Sequence, residues 1–242
     1  MGPGRFGYGA RVVITTSSPQ AQRRTRRAYA RYAICSAALL LLVIAERYLL
    51  ARYTFPGDIR AARLGAQMVT THRPSLIWDL TRVYQQIGRP IVAIAEVLVM
   101  VTWLWRSAGR RAAQGLMIVL LASATCGLIK IICGPTPLWI ALYHVGTNFP
   151  SGVVTFMTAS FGYVAVVAWR QGRRVLPLAL VVAIAGAGPA RVLGGQHLLS
   201  DVLGGYMLGM SWLLLAYMYL VGPNDRAEGN AAWNIASLEA PA

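Results

Sequence analysis

The sequence has few charged residues and little cysteine. Charged residues are 13% of the 242 residues and apolar residues 56%, and the mean hydropathy is +0.51. An ordinary globular protein has roughly 25% charged residues, so the composition excludes most soluble folds. The cysteines are Cys35, Cys126 and Cys133, and no two of them form a C-x-x-C pair. This excludes a disulfide framework and a zinc site, and we expect no metal and no cofactor.

Acidic residues and lysine are also scarce. There are 8 acidic residues against 23 basic ones, which gives a net charge of +15, and Lys130 is the single lysine. Such a surplus indicates nucleic acid, anionic lipid or membrane topology. The arginines concentrate in residues 1–31, 106–114 and 170–174. The positive-inside rule places these segments in the cytoplasm, so we predict an inner-membrane protein with cytoplasmic termini and no nucleic-acid partner.

Long apolar runs predict an all-α polytopic membrane protein with six transmembrane helices. Each run approaches the ~20 residues that cross the hydrocarbon core. The segment 54–89 is mixed, with apolar residues at helical spacing, and predicts a structured outer loop with one short amphipathic helix. We divide the chain into a basic cytoplasmic tail (1–31), a six-helix domain (32–221) and a polar cytoplasmic tail (222–242). The predicted spans are 32–53, 90–105, 112–133, 151–169, 175–192 and 202–221.

Polar residues gather at the outer ends of these predicted spans, where ionisable groups mark functional sites. His197 and Asp201 are four residues apart, so on a helical turn they share a face and can hydrogen bond. The carboxylate would fix the imidazole tautomer and leave one ring nitrogen to act as a nucleophile. Lys130 and Arg191 would clamp phosphoryl oxygens. Ser151 and Gly152, at the start of a span, would add an anion site of the helix N-terminus type.

These residues resemble the motifs of the type-2 phosphatidic acid phosphatase superfamily, which also includes vanadium haloperoxidases and glucose-6-phosphatase. That family has the motifs K-x6-R-P, P-S-G-H and S-R-x5-H-x3-D. This chain has K-I-I-C-G-P-T-P-L from Lys130, P-S-G-V from Pro150 and A-R-V-L-G-G-Q-H-L-L-S-D from Ala190. The resemblance implies a membrane phosphatase fold and a phosphohistidine on His197. It also implies a phosphorylated lipid as the substrate or ligand.

The departures from the motifs affect the expected chemistry. Pro137 and Leu138 replace the arginine and proline of the first motif, Ala190 replaces the serine of the third, and Val153 replaces the histidine of the second. By resemblance, that histidine is the general acid that protonates the leaving group. A general acid contributes about 10²–10⁴-fold to a rate, and valine cannot act as one.

Three interpretations remain open. In the first, the protein is a lipid-phosphate phosphatase whose proton comes from water or from His144 or Tyr143. A polyprenyl pyrophosphate suits this interpretation better than phosphatidic acid, because its leaving group needs no proton. In the second, it is a catalytically deficient relative that binds phosphorylated lipids or supports a partner membrane enzyme. In the third, it is a structural membrane subunit.

Overall fold

The computed structural model describes residues 19–55, 57–71, 76–87, 89–136, 138 and 149–220, and this part of the chain is helical without strands. Pro137, Tyr143, His144 and the predicted tail 222–242 lie outside the described residues. The helices are α1 (Pro19–Leu50), α2 (Asp58–Thr71), α3 (Leu76–Ile87), α4 (Pro90–Cys133), α5 (Gly152–Arg170), α6 (Val175–Leu193) and α7 (Leu199–Leu220). Helix α5 contains a π-helical turn at Met157–Phe161.

Helix α4 is folded back on itself at Gly109. A straight helix of its 44 residues would be about 66 Å long, roughly twice the hydrocarbon thickness. Gly109 has φ 83° and ψ 177°, a conformation that glycine adopts readily. Ala93 is near the beginning of α4 and Lys130 is near its end, yet both line the same cavity. The two arms of α4 therefore run antiparallel. The arms correspond to the second and third predicted spans.

The all-α membrane class is confirmed. Five helices of the described chain are long and apolar enough to cross a membrane, and α4 is one of them. The count of six spans treats the two arms of α4 separately and stays a prediction. Helix α1 begins at Pro19, inside the predicted tail, so the helix extends beyond the predicted span.

Helix α1 lies at the edge of the bundle. Its buried residues Ser36, Val43 and Leu50 follow each other at seven-residue spacing, which places them on one face. That face packs against α7, where the Ser36 hydroxyl donates to the Ser211 carbonyl over 3.0 Å. Ile34, on the other side of α1, is 67% exposed. An apolar helix with a single buried stripe suits a position between the bundle and lipid.

The segment 54–89 contains two helices where one was predicted. Helix α3 carries the predicted apolar stripe, but this stripe faces away from the protein, and Leu76 is 76% exposed. Its inner face is polar: Thr81 is buried, and the Tyr84 hydroxyl donates to the Ala183 carbonyl over 3.0 Å. This orientation suits an amphipathic helix at the membrane interface.

Helices α5 and α7 meet along two glycines of α7. A Cβ at Gly205 would lie 2.9 Å from the Ser151 carbonyl oxygen, and one at Gly209 would lie 2.6 Å from Thr158 Cβ. Small residues let helix backbones approach this closely in membranes. The contact fixes the start of α5 against the start of α7, where the candidate site lies.

Candidate functional site

A cavity of about 450 Å³ opens where α5 begins and α6 ends, and we call it the cationic cavity. Its polar lining includes Lys130 from α4, Arg191 from α6 and His197 from the turn before α7. Gln196 and Ser123 also line it, and the sequence had not indicated either. The remaining lining residues are Ile87, Ala93, Gly152, Val153 and Phe156. The structure therefore brings Lys130, Gly152, Arg191 and His197 to one cavity.

His197 and Asp201 form the predicted pair. The His197 Nδ1 and Asp201 Oδ2 atoms are 3.4 Å apart, and both side chains are buried. Asp201 Oδ2 also accepts a hydrogen bond from the Leu198 amide at 2.8 Å, which holds the carboxylate in place. Burial lowers the pKa of His197 below 6.5, although the Asp201 carboxylate opposes this shift. The imidazole is therefore neutral at physiological pH, the form in which a histidine can attack.

Asp58 fixes the start of α7, and sequence reasoning missed it. Its Oδ1 accepts from the Ser200 amide at 2.9 Å, and its Oδ2 accepts from the Ser200 hydroxyl at 2.7 Å. The carboxylate thus caps the helix that carries Asp201, from a position 142 residues earlier in the chain. Burial raises the pKa of Asp58, and the two Ser200 hydrogen bonds act against that rise.

Arg191 follows a local distortion of α6. Pro189 has no amide proton, so the carbonyl of Ala185 loses its helical donor. The Tyr206 hydroxyl from α7 inserts here: it accepts from the Gly188 amide at 3.1 Å and donates to the Ile184 carbonyl at 2.8 Å. This bridge ties the last turns of α6, including Arg191, to α7.

Lys130 lies in the last turn of α4, whose C-terminal end is held by Arg47. The Gly134 amide donates to the Lys130 carbonyl over 3.1 Å and closes the helix. Arg47 Nη2 donates to the carbonyl of Cys133 and lies 3.4 Å from those of Gly134 and Pro135. A cation is favourable at a helix C-terminus. Arg47 is a second positioning residue that the sequence did not indicate.

Ser151 lies behind the cavity and is fully buried. Its amide donates to the Asp201 carbonyl over 2.8 Å, which joins α5 to α7. Its hydroxyl does not cap α5, whose first backbone hydrogen bond runs from the Thr155 amide to the Ser151 carbonyl. The amides of the first turn therefore lack helical acceptors, as at any helix N-terminus. Of the two predicted residues Ser151 and Gly152, Gly152 lines the cavity.

Several buried polar atoms around the cavity have no hydrogen-bond partner within the described part of the chain. They are Ser151 Oγ, Arg191 Nε and Gln196 Oε1. An unpaired buried polar atom costs about 1–3 kcal/mol, so a hydrogen bond from water or a polar ligand to these atoms would be favourable. No group of three or more metal-ligating side chains occurs among the described residues. The cationic lining suits an anion.

Helical architecture and long apolar helices define a polytopic membrane protein, and the cationic cavity is its candidate anion-binding site. Residues 116–224 match the model of the PAP2 superfamily, a stretch that contains all three motif regions. The resemblance predicted from the sequence is therefore confirmed over this part of the chain.

A solved structure has a similar fold. It is a transmembrane PAP2-type phosphatidylglycerolphosphate phosphatase from Bacillus subtilis, 15% identical, with a TM-score of 0.62. The match covers 78% of this chain and 98% of that chain. No curated protein matches the sequence.

Proposed function

We propose that this protein is a lipid-phosphate phosphatase that acts through a phosphohistidine on His197. The observation that carries the proposal is that His197, oriented by Asp201, lines the same cavity as Lys130 and Arg191. A nucleophile and two cations around one cavity are the parts that phosphoryl transfer requires. The family match over residues 116–224 supports this phosphatase-like function.

The first step is attack of His197 Nε2 on phosphorus. With Nδ1 directed at Asp201, Nε2 lies on the opposite side of the ring. An N–P bond forms, the bond from phosphorus to the leaving oxygen breaks, and the electron pair departs with that oxygen. Lys130, Arg191 and the amides at the start of α5 stabilise the charge on the phosphoryl oxygens. In the second step, water attacks the phosphohistidine, releases inorganic phosphate and restores His197.

The cavity wall favours a pyrophosphate over a monoester. Val153 lines the cavity where the family motif has its general acid, and Phe156 and Ile87 are also apolar. An alkoxide leaving group needs a proton in the transition state, and these side chains supply none. A phosphate leaving group departs as a stable anion. We therefore propose a polyprenyl pyrophosphate as the preferred substrate class and phosphatidic acid as the poorer one.

The test is phosphate release by purified protein in detergent, with farnesyl pyrophosphate and phosphatidic acid as separate probes. We expect release from farnesyl pyrophosphate and none from the His197→Ala variant. His72→Ala, which removes another of the three histidines, is the matched control and should retain the wild-type rate. Equal rates for wild type and His197→Ala would overturn the proposal. A His144→Ala variant then tests whether that loop histidine supplies a proton for phosphatidic acid.

A second candidate function is lipid binding without turnover, including support of a partner membrane enzyme. The observation that favours it is Val153, which lines the cavity and cannot protonate a leaving group. The other lining residues can bind a phosphorylated lipid without any reaction. In this case, wild type and His197→Ala both retain a phosphorylated lipid, whereas a Lys130→Met/Arg191→Met variant does not. Wild type and His197→Ala would both fail to release phosphate.

We further propose that the cavity opens at the outer face of the inner membrane and that both termini are cytoplasmic. The support is the arginine distribution, with Arg170, Arg173 and Arg174 at the end of α5 that is remote from the cavity. Reporter enzymes fused at the two termini and after Gly134 would test the orientation. An active cytoplasmic reporter at Gly134 would contradict it.

A further inference from the structure

A second cavity, of about 510 Å³, lies between α5, α6 and α7, and we call it the apolar cavity. It lies at the opposite ends of α5 and α6 from the cationic cavity, because Trp169 is near the end of α5 and Val181 is in the first half of α6. Tyr217, near the end of α7, also lines it. Its volume is within the range of ligand pockets, roughly 300–1,000 Å³.

The apolar cavity opens toward the lipid-facing surface of the bundle. Trp169 and Val181 line it and are 56% and 54% exposed, and Met210 is 42% exposed. An apolar recess with an exposed apolar rim takes up hydrocarbon rather than a polar solute.

The length of the cavity matches one acyl chain. Its lining extends along α5 from Thr158 to Arg170, and these 12 helical steps span about 18 Å. One leaflet contributes half of the roughly 30 Å hydrocarbon core, or about 15 Å. A single chain of one leaflet would therefore reach from the level of Arg170 to the level of Thr158.

Three arginines lie at or near one end of the apolar cavity. Arg170 lines it, and the Arg174 guanidinium lies 4.0 Å from the centroid of the Trp169 ring. Arg173 lies over the neighbouring Trp103 at 5.3 Å. The sequence has no acidic residue between positions 97 and 200. Basic pockets between membrane helices are the usual recognition sites for anionic lipid headgroups.

We propose that the apolar cavity binds one acyl chain of an anionic diacyl phospholipid, with the lipid phosphate at Arg170. This lipid is a bound component and not the substrate of the cationic cavity. Its headgroup lies at the opposite end of α5 from His197. The proposal does not depend on phosphatase activity.

The experiment measures lipids retained by the purified protein in native mass spectrometry. The protein is first equilibrated in nanodiscs of equal parts phosphatidylglycerol and phosphatidylcholine and then released into mild detergent. All variants carry Lys130→Met/Arg191→Met, so that the cationic cavity does not contribute. We expect the Lys130→Met/Arg191→Met protein to retain one phosphatidylglycerol molecule per chain. Val181→Trp, which fills the apolar cavity from its exposed side, should abolish retention.

Matched controls distinguish the cavity from the general surface. Val182→Trp adds the same ring next to Val181, on a residue that is 63% exposed and does not line the cavity, and should retain the lipid. Arg170→Gln should lower the preference for phosphatidylglycerol about fivefold, as expected for one basic residue near an anionic headgroup, whereas Arg106→Gln should not. If Val181→Trp is not monodisperse, Met210→Trp fills the cavity from α7 instead.

Three outcomes would overturn the proposal. Equal retention by Val181→Trp and Val182→Trp would show that the lipid is bound elsewhere. Equal retention of phosphatidylglycerol and phosphatidylcholine by the protein with no substitution in the apolar cavity would exclude headgroup recognition by Arg170. A dimer mass without lipid would show that a second copy of the chain covers the cavity.

Discussion

The two cavities lie at opposite ends of α5 and α6, yet one is a candidate reaction site and the other a candidate lipid site. The cationic cavity has Lys130, Arg191 and His197 in its wall. The apolar cavity places Arg170 only at its mouth. The two cavities therefore differ in where their basic residues lie, in the wall of the cationic cavity and at the mouth of the apolar cavity.

The electrostatic difference can be tested by removing one cation from the cationic cavity. Lys130→Met should lower phosphate release from farnesyl pyrophosphate by about 10²–10³-fold, the usual cost of losing one stabilising group in the transition state. Arg170→Gln should leave the rate unchanged, because its side chain lies at the other cavity. Colorimetric phosphate release measures both. A comparable loss in the two variants would mean that the cavities are not functionally separate.

A histidine can be restored to the apolar wall of the cationic cavity. Val153→His should raise hydrolysis of phosphatidic acid by up to about 10²-fold, because a general acid becomes available to the alkoxide. The rate with farnesyl pyrophosphate should change little. Phe156→His places the same side chain elsewhere on that wall and is the control. An equal gain in phosphatidic acid hydrolysis in Val153→His and Phe156→His would mean that position 153 has no special role.

The contact between α5 and α7 supports both cavities. In Gly209→Ala, the new methyl group would lie 2.6 Å from Thr158 Cβ and 2.8 Å from the Thr155 carbonyl oxygen. Overpacking of this kind costs about 1–3 kcal/mol. We expect a lower thermal midpoint in detergent, slower phosphate release and weaker lipid retention.

The matched control for Gly209 is Gly127, a helical glycine of α4 with open space around its Cβ position. Gly127→Ala should stabilise the protein by about 0.5–1 kcal/mol, because alanine loses less conformational entropy in a helix. A loss of stability in Gly127→Ala similar to that in Gly209→Ala would mean that the close helix contact is not the cause.

Sequence reasoning succeeded where the structure depends on local patterns. The apolar runs predicted the membrane helices, and the four-residue spacing of His197 and Asp201 predicted their contact. His197 precedes α7 by two residues, so the contact joins the turn before the helix to the first turn of α7. Ser151 and Gly152 were both predicted to bind the phosphate; Gly152 lines the cavity, and Ser151 is fully buried. The helix start is visible in the sequence, whereas the direction of the capping side chain depends on the packing of α5 against α7.

Long-range contacts could not be predicted in this way. Arg47 reaches a carbonyl 86 residues later, and Asp58 reaches Ser200 across 142 residues. No periodicity in a single sequence connects such positions. In the sequence, Asp58 is one carboxylate in a mixed segment, and its role follows only from the packing of α2 against the start of α7.

Asp58 provides the smallest expected effect and a test confined to the cationic end. Because burial raises its pKa above the ordinary 3.8, the folded protein binds this proton more tightly than the unfolded chain does. The resulting stability is fully present below pH 3.8 and is lost as the pH rises through the folded-state pKa. Asp58→Asn keeps an acceptor for the Ser200 amide and removes this titration.

The thermal midpoint of Asp58→Asn relative to wild type should therefore rise between about pH 4 and about pH 8. Asp58→Ala should instead be less stable at both pH values by about 1–3 kcal/mol, since the Ser200 amide and hydroxyl lose their buried acceptor. Neither variant should change phosphatidylglycerol retention in the apolar cavity. A pH-independent difference for Asp58→Asn would mean that the buried carboxyl does not titrate with folding. Its two Ser200 hydrogen bonds would then be its entire contribution to stability.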